Sequence, residues 1–401
     1  MKMLPLKGIK VLDISQFLSG PWTTVLLGDM GAEVIKLEPK VGEAMRLYTY
    51  MNSSLDAMLS LLHRNKKGIT LDIRSEKGKE VFKDLIKKVD VLIENFTSGV
   101  MEKLGLGYDV LKEINPQLIY TSISGFGRSG PYHNKPAFDI IAQATSGIMY
   151  VAERVDKQPV LFFADTVAGI FGALGTVVAL YFRNQTGKGQ LVDISMQDVM
   201  YAINNQAVIK RLFDDIFTED EIVSMGIKGQ DATNIKLPLY NSYPTKDGYI
   251  AIVAITDRQV RRLLKIMGKE TLARKKEFRN IINRFKNIDI IDKTVSEWTK
   301  NKTTDELVKL LDSVHIPNGP VYNLEQVNKD PQLEARNMFY AVDHKKFGKI
   351  KIPGVIIKMS ESPGSIRTPA PQLGEHNDEI YSDFLGYDNE KIKKLKKEGI
   401  I

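Results

Sequence analysis

Residues 9–38 read IKVLDISQFLSGPWTTVLLGDMGAEVIKLE. Residues 9–14 are a short, mostly apolar run of the kind that forms a buried strand. SQFLSGP carries the serine, glycine and proline of a loop. Trp22–Met30 suits a helix ended by Gly31, and AEVIKLE reads as a second strand. Strand, helix and strand in so short a span require a crossover, hence a parallel pair with a right-handed connection.

The same alternation continues. GITLDI is strand-like, and SEKGKEVFKDLIKKV is an amphipathic helix starting near Ser75. DVLIENF is a strand, YDVLKEIN a short helix, and LIYTSISGFG a strand entering a glycine-rich turn. The first ~200 residues therefore predict an α/β domain with an open parallel sheet in the Rossmann style. After Met200 the texture changes. Residues 201–216 are helical in pattern, and 217–245 carry the acids, glycines and prolines of a crossing linker. DGYIAIVAI is a strand, and 257–312 are mostly charged-faced helices. The expected organisation is a large domain from 1–216 and 331–401, with 217–330 as linker plus a smaller α+β domain. Short strands, a Pro-rich stretch and a terminal helix form a tail that returns to the large domain.

A chain of 401 residues is long for one core, which fits two domains. It is 43% hydrophobic and 26% charged, an ordinary globular composition. The +7 charge comes from interspersed residues, which tolerates an anionic ligand without demanding nucleic acid. With no cysteine, disulfides, thiolate metal sites and cysteine nucleophiles are excluded, which suits a cytoplasmic protein. The N-terminus lacks the continuous apolar segment of a signal peptide. RNKK (64–67) and KKLKKE (393–398) read as solvated basic faces.

One residue stands out against its surroundings. From Pro159 to Phe182, Asp165 is the only charged residue. The run is long enough to span a membrane, but Gly169, Gly172, Gly175 and the acid near its start favour a buried strand–turn–helix. Asp165 is then either a helix N-cap or a reactive carboxylate at a helix start, and the two readings are compatible. Gly187 or Gly189 suits the left-handed position that ends the helix. No histidine shows metal-ligand spacing, SISGFGRSG is not a serine-hydrolase elbow, and neither GFGRSGP nor TGKGQ is a P-loop or dinucleotide fingerprint.

Six strings in order carry a more specific signal: the opening 11–38, NKKGITLDIRSEKGKEVF, DVLIENFTSGVMEKLGL, DTVAGIFGALGTVVALYFRNQTGKGQLVDISMQD, IPNGPVYNLEQV and LGEHNDEI. Together they resemble the class III CoA-transferase family, the CaiB/BaiF group, which includes formyl-CoA and carnitine CoA-transferases and an alpha-methylacyl-CoA racemase. The resemblance spans nearly the whole chain. It implies a Rossmann-like large domain, a small domain, and a homodimer of interlocked rings. It implies an acyl-CoA:carboxylate CoA-transferase with Asp165 as nucleophile, passing through an aspartyl-acyl anhydride and an aspartyl-CoA thioester. Coenzyme A is then a substrate, with an acyl-CoA donor and a small carboxylic acid acceptor. No permanent cofactor, metal, nucleic acid or membrane is called for. Coenzyme A contacts carry over to Leu18, Ser19, Leu71, Arg74, Asn95, Phe96 and Lys103, the last where Arg is frequent. Phe138 and Asp139 stand where the racemase branch has His and Asp, so one base of a proton shuttle is missing. No glycine run stands in 200–245 to match the formyl-CoA enzyme. A 2-methylacyl-CoA racemase, or a coenzyme A binder whose Asp165 only caps, are the alternatives.

Overall fold

The computed structural model describes residues 3–49, 54–152, 154–159, 161–216, 218 and 237–401. Six parallel strands form the main sheet in the order β3-β2-β1-β4-β5-β6. They are β1 (Lys10–Asp13), β2 (Glu33–Glu38), β3 (Lys66–Thr70), β4 (Val91–Glu94), β5 (Ile119–Ser124) and β6 (Gln190–Ser195). This is the doubly wound order, in which the direction of winding reverses between β1 and β4. Side chains alternate across each strand. Leu12, Ile35 and Ile69 pack on one face with Val81, Phe82 and Leu85, while Val11, Val34, Val91 and Ile119 pack on the other with Leu27, Ala173 and Leu180.

The first helix, α1 (Ser19–Asp29), starts three residues earlier than the sequence pattern suggested. Gly20 and Pro21 fall within its first turn, where a missing proline N–H breaks no intrahelical bond. Next come α2 (Ala44–Thr49), α3 (Ser54–Leu62), α4 (Glu76–Ile86), α5 (Val100–Lys103), α6 (Tyr108–Ile114), α7 (Asp139–Thr145) and α8 (Ile148–Val151). The long helix α9 (Phe163–Thr186) follows, ending on Gly187 at φ 73° as the left-handed cap requires. It is long and apolar enough to cross a membrane by length and composition. Its small residues lie against the rest of the unit: a Cβ on Gly172 would come 2.7 Å from Thr23 Oγ1, and one on Gly175 would come 2.7 Å from Val192.

The chain divides into two compact units, Met1–Ile209 with Gln332–Ile401, and Lys210–Pro331. Within the first, the C-terminal segment runs along β3, where the Asn65 N–H donates to the Thr368 carbonyl and the His376 N–H to that of Gly68. The second contains an antiparallel sheet ordered β7 (Tyr240–Pro244), β8 (Tyr249–Val253) and β9 (Asn318–Pro320). Its core includes Ile250, Ile252, Leu263, Leu264, Val295 and Leu311. Strand β7 lies inside the stretch expected to be linker; most of the remainder, 217 and 219–236, is outside the described residues.

Candidate active site

In an open doubly wound sheet, ligands bind beyond the carboxyl ends of the strands where the order reverses. Here that crevice is walled by the loop after β1, Ile14–Leu18, and the turn after β4, Asn95–Thr97. The two are tied together. The Gln16 N–H donates to Asn95 Oδ1 at 2.7 Å, and Asn95 Nδ2 donates back to the Gln16 carbonyl at 2.7 Å. Phe17 sits in the left-handed region at φ 60°, a conformation a bulky residue adopts only under constraint. The constraint is Glu43, whose Oε2 accepts the Phe17 N–H at 2.9 Å.

Beneath this loop lies a layer of buried charge that the sequence did not announce. Asp13 accepts from Ser15 Oγ at 2.5 Å, Thr24 Oγ1 at 2.6 Å and Lys66 Nζ at 2.9 Å. Lys36 Nζ lies 3.6 Å from the same carboxylate and donates to the Ser15 carbonyl. His63 Nε2 lies 2.7 Å from Glu43 Oε1. Burial opposes each of these charges, and their neighbours decide the outcome. Against burial, the Lys36 and Lys66 ammoniums hold Asp13 far below the ordinary carboxylate range. Against burial, Lys36 and the His63 contact hold Glu43 down at about 2. Burial, reinforced by the repulsion of Lys36, brings Lys66 down to about 8 despite Asp13. Burial keeps the His63 imidazole below its ordinary value, though Glu43 pulls the other way. RNKK is therefore not a solvated face: Arg64, Asn65 and Lys66 are buried, and Arg64 is paired with Asp29 at 2.7 Å. The 393–398 lysines are exposed.

Asp165 is the third residue of α9 and not its N-cap, which is Phe162 with no side-chain bond. The cap comes from elsewhere. Asp139, at the start of α7, accepts the Asp165 N–H at 3.0 Å and also the Ala164 backbone. Gln143 Nε2 steadies it, donating to Asp139 Oδ2 at 2.5 Å and to the Leu161 carbonyl at 3.0 Å. With its backbone served by Asp139, the Asp165 side chain is free to face the crevice. Burial, then the neighbouring Asp139 charge, push its carboxyl up to about 6, against the Ser19 hydroxyl hydrogen-bonded to it. Ser19 Oγ in turn accepts from Asn95 Nδ2 at 3.1 Å, so its proton is directed to the carboxylate.

Three clefts share walls here. A cleft of about 260 Å³ is lined by Leu71, Arg74 and Phe96 together with Gln16 and Glu43. One of about 200 Å³ contains Gln16, Ser19, Asn95, Phe96, Phe138 and Asp165. The largest, about 450 Å³, holds Leu18, Phe138, Asp139 and Asp165 among apolar side chains. Gln16 and Phe96 belong to the first two, and Phe17, Phe138 and Asp165 to the last two. The structure thus gathers Leu18, Ser19, Leu71, Arg74, Asn95, Phe96, Phe138, Asp139 and Asp165 along one path with the carboxylate part-way. Lys103 is apart: it is exposed on α5, whose Val100 and whose next residue Leu104 line the first cleft, but does not line it. Sequence reasoning missed Gln16, Phe17, Glu43 and His63. Phe17 alone left a trace, as a bulky residue within a Ser-Gly-Pro loop.

The profile of CoA-transferase family III matches residues 6–377. The alpha subunit of succinyl-CoA–L-malate CoA-transferase from Chloroflexus aurantiacus is 33% identical over 408 residues, covering 100% of this chain and 93% of that protein. Human succinyl-CoA:glutarate CoA-transferase is 30% identical over 403 residues, covering 99% and 90%. Among solved structures, a CaiB/BaiF family protein from Brucella suis superimposes with a TM-score of 0.78 at 30% identity, covering 96% of this chain and all of that one.

Proposed function

The chain belongs to CoA-transferase family III, and from that premise we propose that Asp165 is the nucleophile of an acyl-CoA:carboxylate CoA-transferase. The observation that carries this reading is the placement of Asp165: a carboxylate relieved of capping by Asp139, facing a junction of clefts. The Asp165 carboxylate attacks the thioester carbonyl of the donor, expelling CoA thiolate and leaving an aspartyl-acyl anhydride. The thiolate attacks the aspartyl carbonyl, releasing the donor acid and leaving an aspartyl-CoA thioester. The acceptor carboxylate attacks that thioester, and the returning thiolate takes the new acyl group and frees Asp165. One thioester replaces another, so no further energy source enters. Holding thiolate and anhydride together gives an effective molarity of about 10⁵ M or more against water. Ser19, whose hydroxyl meets the Asp165 carboxylate, is the donor near the developing oxyanion.

Coenzyme A lies along the first two clefts, with Arg74 toward its phosphates and Leu71 and Phe96 against its apolar parts. Phe138, an exposed ring, has no proton to exchange, which weighs against racemisation. The large domain is 1–216 with 331–401, the small one 217–330, and the enzyme is a cytoplasmic homodimer of interlocked chains. Supporting the dimer, α9 exposes Ile170, Leu174, Val178 and Tyr181 in one stripe, and a second copy would cover it. A monomer of full activity by light scattering at micromolar concentration would defeat that part.

The nucleophile is tested with Asp165→Asn. Because Asp139 and not Asp165 caps the helix, the variant should fold within about 1 kcal/mol of the parent and lose transfer. Parent enzyme incubated with a reactive acyl-CoA should gain a hydroxylamine-labile mass on the peptide FFADTVAG. Full transfer by the variant, or a label on another peptide, overturns the assignment.

A further inference from the structure

Resting on the reading of Asp165 as nucleophile, the cavity beyond it identifies what the thioester carries. If coenzyme A approaches through the two clefts that share Gln16 and Phe96, the acyl group must project into the third, about 450 Å³ in volume. Its walls are built from Phe17, Met45, Leu55, Met58, Phe138 and Phe162. Phe138 and Phe162 keep 61% and 56% of their surface exposed, so an apolar occupant removes large rings from water. Phe17 and Phe138 meet edge to face at 5.4 Å, a wall that suits a further ring or a branched chain.

The polar inventory is as informative. Besides Asp165, the described lining residues offer Asp139, Gln158 and the Tyr48 hydroxyl, and no Lys, Arg or His. Two cations close to this lining, Arg46 and Lys135, are engaged. Arg46, between the lining residues Met45 and Tyr48, gives its guanidinium to Glu38 at 2.7 and 2.8 Å and to the Pro371 carbonyl. Lys135 lines the neighbouring cleft and lies over the Tyr132 ring at 3.9 Å. A second carboxylate on the acyl group would leave water for an apolar wall and face Asp139, with no counter-charge among the described lining residues.

We infer that the acyl site of this chain takes an apolar monocarboxylic group, branched or aryl, and discriminates against the dicarboxylic groups in its relatives' names. The discrimination is built from unpaired charge, which rejects more strongly than a missing methylene does.

The test compares phenylacetyl-CoA and 2-methylbutyryl-CoA with succinyl-CoA as donors to the purified full chain, each with the three free acids as acceptors, read by mass. The apolar donors should exceed succinyl-CoA in kcat/KM by about tenfold or more. Succinyl-CoA equal to or better than both overturns the inference and leaves the proposed function standing. No transfer from any donor, with no mass added to the Asp165 peptide, overturns both. Leu55→Arg supplies the missing cation and should lower phenylacetyl transfer while raising that from succinyl-CoA. Phe162→Arg does the same from an exposed position that does not threaten folding. Phenylacetyl transfer unchanged in a folded variant shows that the acyl group lies elsewhere and overturns the inference.

Discussion

Below and above the loop Ile14–Leu18 the protein uses opposite chemistry. Below, Asp13, Lys36, Lys66, Glu43 and His63 are packed out of water and set against one another in ion pairs. Above, Phe17, Phe138 and Phe162 line a cavity and leave Asp165 with one hydroxyl donor. A buried ion network is a poor source of net stability, because desolvation consumes most of the attraction. What it supplies is position. Phe17 is held at a positive φ by a backbone bond to Glu43, and Ser15 by bonds to Asp13 and Lys36. The apolar side leaves the carboxylate proposed as nucleophile under-solvated. One layer fixes geometry, the other sets reactivity, and a single strained loop separates them.

The contrast breaks most visibly if charge below the loop proves dispensable. Lys36→Met leaves Asp13 to Lys66 and removes the ammonium that faces Glu43, and should cost about 3–5 kcal/mol in urea unfolding. Above the loop, the volume-conserving Met58→Leu should cost less than about 1.5 kcal/mol. Equal costs would mean that the layers do not differ as described.

The pH response sharpens the same division. Asp165, raised to about 6, must be ionised to attack, so kcat/KM should fall as pH drops through about 6 and level off above it. Glu43 is depressed to about 2, so its stabilisation is complete above its ordinary value and lost only as pH falls toward about 2. Asp165 acts in the opposite sense, its burial lowering stability as pH rises from its ordinary value to about 6. Activity should therefore be lost in a window where circular dichroism shows the fold intact. Glu94, pushed to about 7 by burial and holding the Phe96 N–H at 2.8 Å, is a further carboxyl near the crevice. Glu94→Gln should leave the limb near pH 6 in place; its disappearance would reassign that limb.

The smallest effect belongs to a residue in neither layer. Exposed Lys103, which the family resemblance places against coenzyme A, should on truncation to Ala raise KM by about twofold to fivefold with kcat unchanged. The difference should shrink as salt rises. An unchanged KM at low salt removes Lys103 from the site.

The βαβ opening and the isolation of Asp165 were legible because both are local: periodicity over six to twenty residues, and one acid in an apolar run. The cap of α9 was not, because the partner that frees Asp165 is Asp139, 26 residues back. RNKK misled for a like reason. Lys66 is buried by pairing with Asp13, 53 residues away, and Asn65 is covered by a segment 300 residues on. A string of charges reveals its own hydrophilicity, but only the fold supplies the opposite charges that let it be buried. Phe17 marks the same limit, since a positive φ at a bulky residue is imposed by tertiary contacts and has no local code.

Gly169 carries a consequence of its own. A Cβ there would lie 2.6 Å from the Ser19 carbonyl, closer than such atoms approach, and Thr23 Oγ1 bonds the Gly169 carbonyl at 2.9 Å. Gly169 stands one turn after Asp165, and Ser19 is the residue whose hydroxyl meets that carboxylate. A single hydrogen in place of a methyl thus sets the spacing between reactive group and donor. The site depends on a position that lines none of the three clefts. Alanine there would be chemically mild and mechanically severe, spreading the two helices at the point where Ser19 meets the Asp165 carboxylate.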